Sequence, residues 1–248
     1  MLEPRAAVDE LTRLIAGHFG SRLLGLYLFG SLAAGGFHPG KSDVDLFAVL
    51  DADLEGLEEL EALHTGFVAE HPEWTERVEV GHVSRAVLQT LGDAPAGRIA
   101  VISPGEPLNV KEAESDWTLN WHAVCSQGET LLGPPPLELG PPVTAAAYRR
   151  AIEQLLPYWK TAVRAPSVAY VPAHQGYIVV TLCRALYGLS TGEQATKEEA
   201  TAWAAGHFPE WAPFIEEALA VYRADVNERH ERVIRFVDYA VQEASRAR

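Results

Sequence analysis

"LYLFGSLAAGGFHPGKSDVDLFAVL", Leu26–Leu50, is the stretch whose reading decides the fold. Within it Gly35, Gly40, Lys41 and Ser42 spell G-x-x-x-x-G-K-S, the letters of a phosphate-cradling P-loop. Such a loop works only when a strand runs into the glycines and a helix leaves them. After Ser42 come Asp43-Val44-Asp45-Leu46-Phe47-Ala48-Val49-Leu50, two acids and then a β-branched, apolar run that reads as a strand. Pro39 also removes an amide from a loop whose value lies in its amides. The order is wrong for a P-loop. What it predicts is two strands, over 22–29 and 43–50, joined by a glycine-rich turn in which Lys41 is a solvated residue.

In an extended strand Asp43 and Asp45 share a face, their Cβ atoms about 6.5–7 Å apart. Carboxylates at that spacing reach metal ions about 3.5–4 Å apart, the separation that clamps a phosphoryl group during in-line displacement. Asp-x-Asp is also common as solvated turn chemistry, so the pair by itself leaves both readings open. Two further features add to it. Gly30-Ser31 closes the preceding strand, where backbone amides can face a phosphate. Glu79 sits between Val78 and Val80 in "ERVEVGHV", 76–83, whose alternation predicts a half-buried strand with the acid opposite two core residues.

The surrounding chain fits a two-domain protein of 248 residues with 48% hydrophobic and 22% charged residues. Val8, Leu11, Leu14 and Ile15 mark a helix over 5–19; Leu54, Leu57, Leu60 and Leu63 mark an acidic one over 54–70; "DWTLNWHAVCSQG" reads as a third over 116–128. "GPPPLELGPP", 133–142, is the clearest boundary, dividing an α/β part, 1–140, from a helical part, 141–248. In the second part 176–189, 197–208, 211–224 and 231–244 all show apolar residues three and four apart, as Val233, Phe236, Val237, Ala240 and Val241 do. Cys125 and Cys183 lie in helical segments without metal-ligand spacing, which predicts neither a disulfide nor a zinc site. The net charge of −14 argues against a sequence-independent grip on nucleic acid and suits a cationic small substrate. With no signal-type segment or membrane-length apolar run, a cytoplasmic protein, monomeric or weakly dimeric, is expected.

Leu26–Leu50 resembles the signature of the DNA polymerase β-like nucleotidyltransferases: Gly-Ser, a spacer, Asp-hydrophobic-Asp entering a strand, and a third acid on a later strand. "GYIVVTLCRALYGLSTGEQATKEEATAWAAGHFPEW", 176–211, resembles the C-terminal helical domain of the bacterial aminoglycoside adenylyltransferases of the streptomycin and spectinomycin type. "DWTLNWHAVCSQGETLLGPPP", 116–136, is similar to their inter-domain segment, so the likeness spans nearly the whole chain. It implies an α+β fold: an N-terminal mixed-sheet catalytic domain, and a helical bundle that closes the active-site cleft. It implies that Asp43 and Asp45 hold magnesium, with Glu79 both a third metal-site acid and the base for the acceptor hydroxyl. By the same resemblance Gly30, Ser31, Ser42, Asp116, Arg184, Lys197 and Tyr222 belong to the ATP site.

Adenylyl transfer to a hydroxyl of an aminoglycoside-type antibiotic, an antibiotic-resistance activity, is thus expected, with ATP as co-substrate and two magnesium ions. The family's streptomycin users carry an acid where His174 and Gln175 stand here, and an aromatic in the loop near "VISPGEPLNVKE", 101–112, which has none. Spectinomycin is therefore the favoured acceptor and streptomycin the second. Trp117 and Trp121, four apart, read either as an acceptor pocket or as a packed face. A protein side chain or endogenous metabolite as acceptor, and an antitoxin-like module with a silent site, are the alternatives.

Overall fold

The computed structural model describes residues 2–51, 54, 56–92, 97–165 and 171–223. The segment 231–244, expected to be helical, lies outside them. The chain forms two compact units, one of 1–155 with 192–196, the other of 156–191 with 197–248.

The first unit opens on α1 (Pro4–Phe19), where Pro4 stands at the helix start and Ala7, Val8, Leu11, Ile15 and Phe19 form one buried face. β1 (Leu23–Phe29) follows, then a single-turn helix α2 (Gly30–Ala33), then β2 (Val44–Leu50). The glycine-rich stretch expected to be pure turn thus contains one helical turn, and a strand leaves it as the sequence predicts. α3 (Leu57–Glu70), β3 (Val78–Ser84), α4 (Arg85–Gln89), β4 (Arg98–Ile102) and β5 (Asn109–Glu112) come next. α5 (Ser115–Gln127), β6 (Glu129–Leu132), α6 (Pro136–Leu139) and α7 (Ala145–Ala162) complete the series, α7 running across the border of the two units with Pro157 inside it.

The six strands form one mixed sheet in the order β5-β4-β3-β2-β1-β6. Only β2 and β3 run parallel; the other neighbours are antiparallel. Parallel neighbours need a crossover, and α3 supplies it. α1 and α3 cover one face, burying Leu11, Ile15, Leu60 and Phe67 against Leu28, Leu46 and Val80. α5 covers the other, where Trp117 and Trp121 meet Tyr27, Phe47 and Val83. With both faces covered, β3 is buried at nearly every position instead of alternating as its sequence suggests. Gly81 has a steric reason: a Cβ there would overlap the Trp117 ring.

In the second unit α8 (Pro172–Thr191), α9 (Lys197–His207) and α10 (Ala212–Arg223) pack on one another. Ile178, Val180, Cys183, Ala200, Ala204, Ile215 and Ala218 are buried there. Gly176 sets the approach of α8 to α10, since a Cβ on it would stand 2.7 Å from the Ala218 carbonyl oxygen. Both cysteines are free. Among the described residues no helix is long and apolar enough to cross a membrane.

Candidate active site

The site begins with how the ends of β2 and β3 are tied together. The turn before β2 closes on Ser42, whose Oγ accepts from the His38 N–H at 3.0 Å while its own N–H donates to the His38 carbonyl. Arg77, over the Trp74 ring, donates from Nε at 3.0 Å and Nη2 at 2.5 Å to the Ser42 carbonyl. The Val44 N–H then donates to the Arg77 carbonyl at 2.9 Å and opens the parallel ladder. In that register Asp45 lies beside Glu79, and Phe29 of β1 lies across from Asp45 on its other side.

Asp43, Asp45 and Glu79, all half-buried, each bring a carboxylate oxygen within 4.8 Å of the others. Glu79 is pushed up to about 7, first by burial, then by the negative charges of Asp43 and Asp116, with Lys111 pulling the other way. Lys111 Nζ stands 3.3 Å from Asp116 Oδ2, so a cation on β5 and an acid in the first turn of α5 flank the cluster. Three crowded oxygen donors, one of them protonated near neutrality, form a set that a hard divalent cation such as magnesium would relieve. The residues present fit that ion.

Gly30 stands next to this cluster with φ 70°, and a Cβ on it would fall within the Asp45 carboxylate. Only glycine combines that left-handed backbone with so close an approach. Ser31 Oγ is buried and has no hydrogen-bond partner among the described residues, a polar group in need of a ligand.

The structure therefore brings Asp43, Asp45, Glu79, Asp116 and Gly30 to one neighbourhood. It adds Lys111 and Arg77, the first on the short strand β5, which nothing local marks, and the second just before β3 begins. Ser42 is buried and holds the turn through its side chain and carbonyl. Trp117 and Trp121, each 1% exposed, resolve to the packed face rather than an acceptor pocket. In the second unit, Lys197 Nζ donates to Tyr222 Oη at 2.7 Å and lies 4.8 Å from that ring's centre. Arg184 sits on α8 of the same unit, partly buried.

A nucleotidyltransferase domain model matches residues 15–92, and the C-terminal domain of aminoglycoside adenylyltransferase matches 138–243. The chain belongs to the aminoglycoside adenylyltransferase family of nucleotidyltransferases. A solved structure of this family, the spectinomycin adenyltransferase AAD(9) from Enterococcus faecialis with ATP and spectinomycin, superposes with a TM-score of 0.74. It shares 18% identity over 90% of this chain and 91% of its own, a likeness that speaks to the fold. A toxin-antitoxin with AMP-PNP matches 62% of this chain and 93% of its own at 18% identity, with a TM-score of 0.31. The range matched by the nucleotidyltransferase model includes Gly30, Ser31, Asp43, Asp45 and Glu79. The protein is an enzyme of nucleotidyl transfer.

Proposed function

We propose that the enzyme transfers AMP from ATP to a hydroxyl of an aminoglycoside-type antibiotic, spectinomycin first and streptomycin second, releasing pyrophosphate. The observation that carries this reading is the convergence of Asp43, Asp45 and Glu79 beside the Gly30-Ser31 turn. The C-terminal family match supports the acceptor class, and the AAD(9) complex supports ATP as donor.

Asp43 and Asp45, with Glu79 as the third acid, would hold magnesium, whose charge offsets the phosphates and the leaving pyrophosphate when bound. Glu79 takes the proton of the acceptor hydroxyl as its oxygen bonds to the α-phosphorus and the bond to pyrophosphate breaks. Its position near 7 suits that task, since a base works best close to the operating pH. Ser31 donates its hydroxyl, which has no partner among the described residues, to a phosphate, and Gly30 and Ser31 present amides. Ser42 positions the turn and keeps its hydroxyl proton for the nucleotide; Asp116 contacts the nucleotide. On the resemblance, Arg184 and Lys197 neutralise the phosphates and Tyr222 contacts the nucleotide. We divide the work between a catalytic domain, 1–140, and a helical domain, 141–248.

Incubation with ATP, magnesium and a panel of aminoglycoside-type antibiotics should release pyrophosphate with spectinomycin above the rest. No release with any member would sink the acceptor assignment, and labelling of lysate proteins by radioactive ATP instead would move it to a protein side chain.

A further inference from the structure

A groove of about 280 Å³ opens in the first unit between α3, residues 74–78 and the loop 103–108. It lies across the sheet from the carboxylate cluster. Val78 and Glu79 are successive on β3 and point to opposite faces; Val78 and Trp74 belong to the core under α1 and α3, while Glu79 looks toward Lys111 and Asp116.

The groove has an apolar floor of Val68, Trp74, Val78, Ile102 and Leu108, with hydroxyls from Thr65, Thr75 and Ser103. Every charged residue in its lining is acidic: Glu61, Glu76 and Glu106, all exposed. The neighbouring cation, Arg77, is turned instead to the Ser42 carbonyl and the field of Asp43. Glu76 comes from the 74–78 side, and a Cβ on Gly105 would touch its carboxyl at 3.5 Å, so the two loops meet at that rim. His64 also lines the groove; it is 5% exposed, and both its ring nitrogens are buried without a hydrogen-bond partner among the described residues.

We infer that this groove binds a small organic ammonium ion with an apolar body. A bare metal ion is the poorer match. Among the described residues the groove's carboxylates do not form a convergent set, whereas Asp43, Asp45 and Glu79 do. A dispersed ring of like charge over an apolar floor instead suits a cation that carries its own hydrocarbon. An ammonium has only donors, and the groove offers it carboxylate oxygens at the rim and hydroxyl oxygens from Thr65, Thr75 and Ser103. The site is separate from the nucleotidyl-transfer chemistry, so it stands whether or not the proposed acceptor is correct.

Titration calorimetry with benzylammonium, and with benzyl alcohol as its uncharged counterpart, tests the assignment on the full chain. Expected is saturable one-to-one binding of benzylammonium alone, weakened by about tenfold or more in the Glu61→Gln/Glu106→Gln double variant. Both substitutions are on exposed side chains, and a melting curve checks that the double variant is folded. Binding should survive Asp45→Asn. The assignment falls if benzylammonium does not saturate, if benzyl alcohol binds equally well, or if Asp45→Asn removes binding that Glu61→Gln/Glu106→Gln leaves intact.

Discussion

Replacing Gly30 by alanine should separate the geometry of the site from the stability of the fold. Gly30 has φ 70°, and an added Cβ would occupy the space of the Asp45 carboxylate. Two effects follow. A left-handed alanine loses roughly 1–2 kcal/mol relative to glycine, and for a chain of this size each kcal/mol lowers the melting temperature by about 2–4 °C. Beyond that, Asp45 must swing away from Asp43 and Glu79, and a displacement of about 1 Å at a reacting centre lowers the rate by about a hundredfold. Gly40 supplies the control: its φ is 80°, but nothing lies within 4 Å of where its Cβ would stand. Gly40→Ala therefore carries backbone strain alone. Pyrophosphate release with ATP, magnesium and spectinomycin, run beside melting curves, should show a thermal loss in both variants, at least as large in Gly30→Ala, and a large fall in kcat in Gly30→Ala only. Equal kcat in the two variants would refute the role given to the Gly30–Asp45 contact.

Acid should unfold the protein through buried histidines. Burial pulls His82 down to about 4 and, with help from His82 and His18, His64 down to about 3, against an ordinary 6.5. Between pH 6.5 and 4 the unfolded chain takes up protons that the folded one refuses, so stability falls as pH falls, by roughly 3 kcal/mol for His82 alone. Melting curves from pH 7 to 4 should record this decline, and His64→Leu should flatten it; an unchanged slope in that variant would count against the assignment. Removing the positive charge with Lys111→Met should raise Glu79 further, moving the acid limb of the kcat profile to higher pH, whereas a shift to lower pH would contradict the electrostatics. Lys41→Ala should change kcat/KM by no more than about threefold, where the lysine of a true P-loop would be indispensable.

Much of this architecture was legible because the decisive residues are punctuated in sequence. The apolar runs before Gly30 and after Asp45 could only be strands, and a strand after Ser42 ruled out the P-loop. Asp43, Asp45 and Glu79 were legible as a set because an acid flanked by core residues on a strand stands out by alternation. The two-sided burial of β3 was not, since Gly81 and His82 conceal it, and it depends on α5 laying Trp117 over the sheet. β5 and β6 are four residues long and mixed in polarity, so nothing local marks them as sheet edges. Lys111 was hidden with β5; only pairing with β4 brings it toward Asp116 and Glu79. The tryptophans read either way until packing around Phe47 decided for the core.

The central claim is that three carboxylates on β2 and β3 catalyse AMP transfer to an antibiotic hydroxyl. Mass spectrometry of spectinomycin after incubation with the enzyme, ATP and magnesium tests it most directly. The account predicts an AMP adduct formed in step with pyrophosphate, and its loss in folded Asp45→Asn and Glu79→Gln variants. An unmodified antibiotic, or an adduct that both variants form at the unaltered rate, would contradict it.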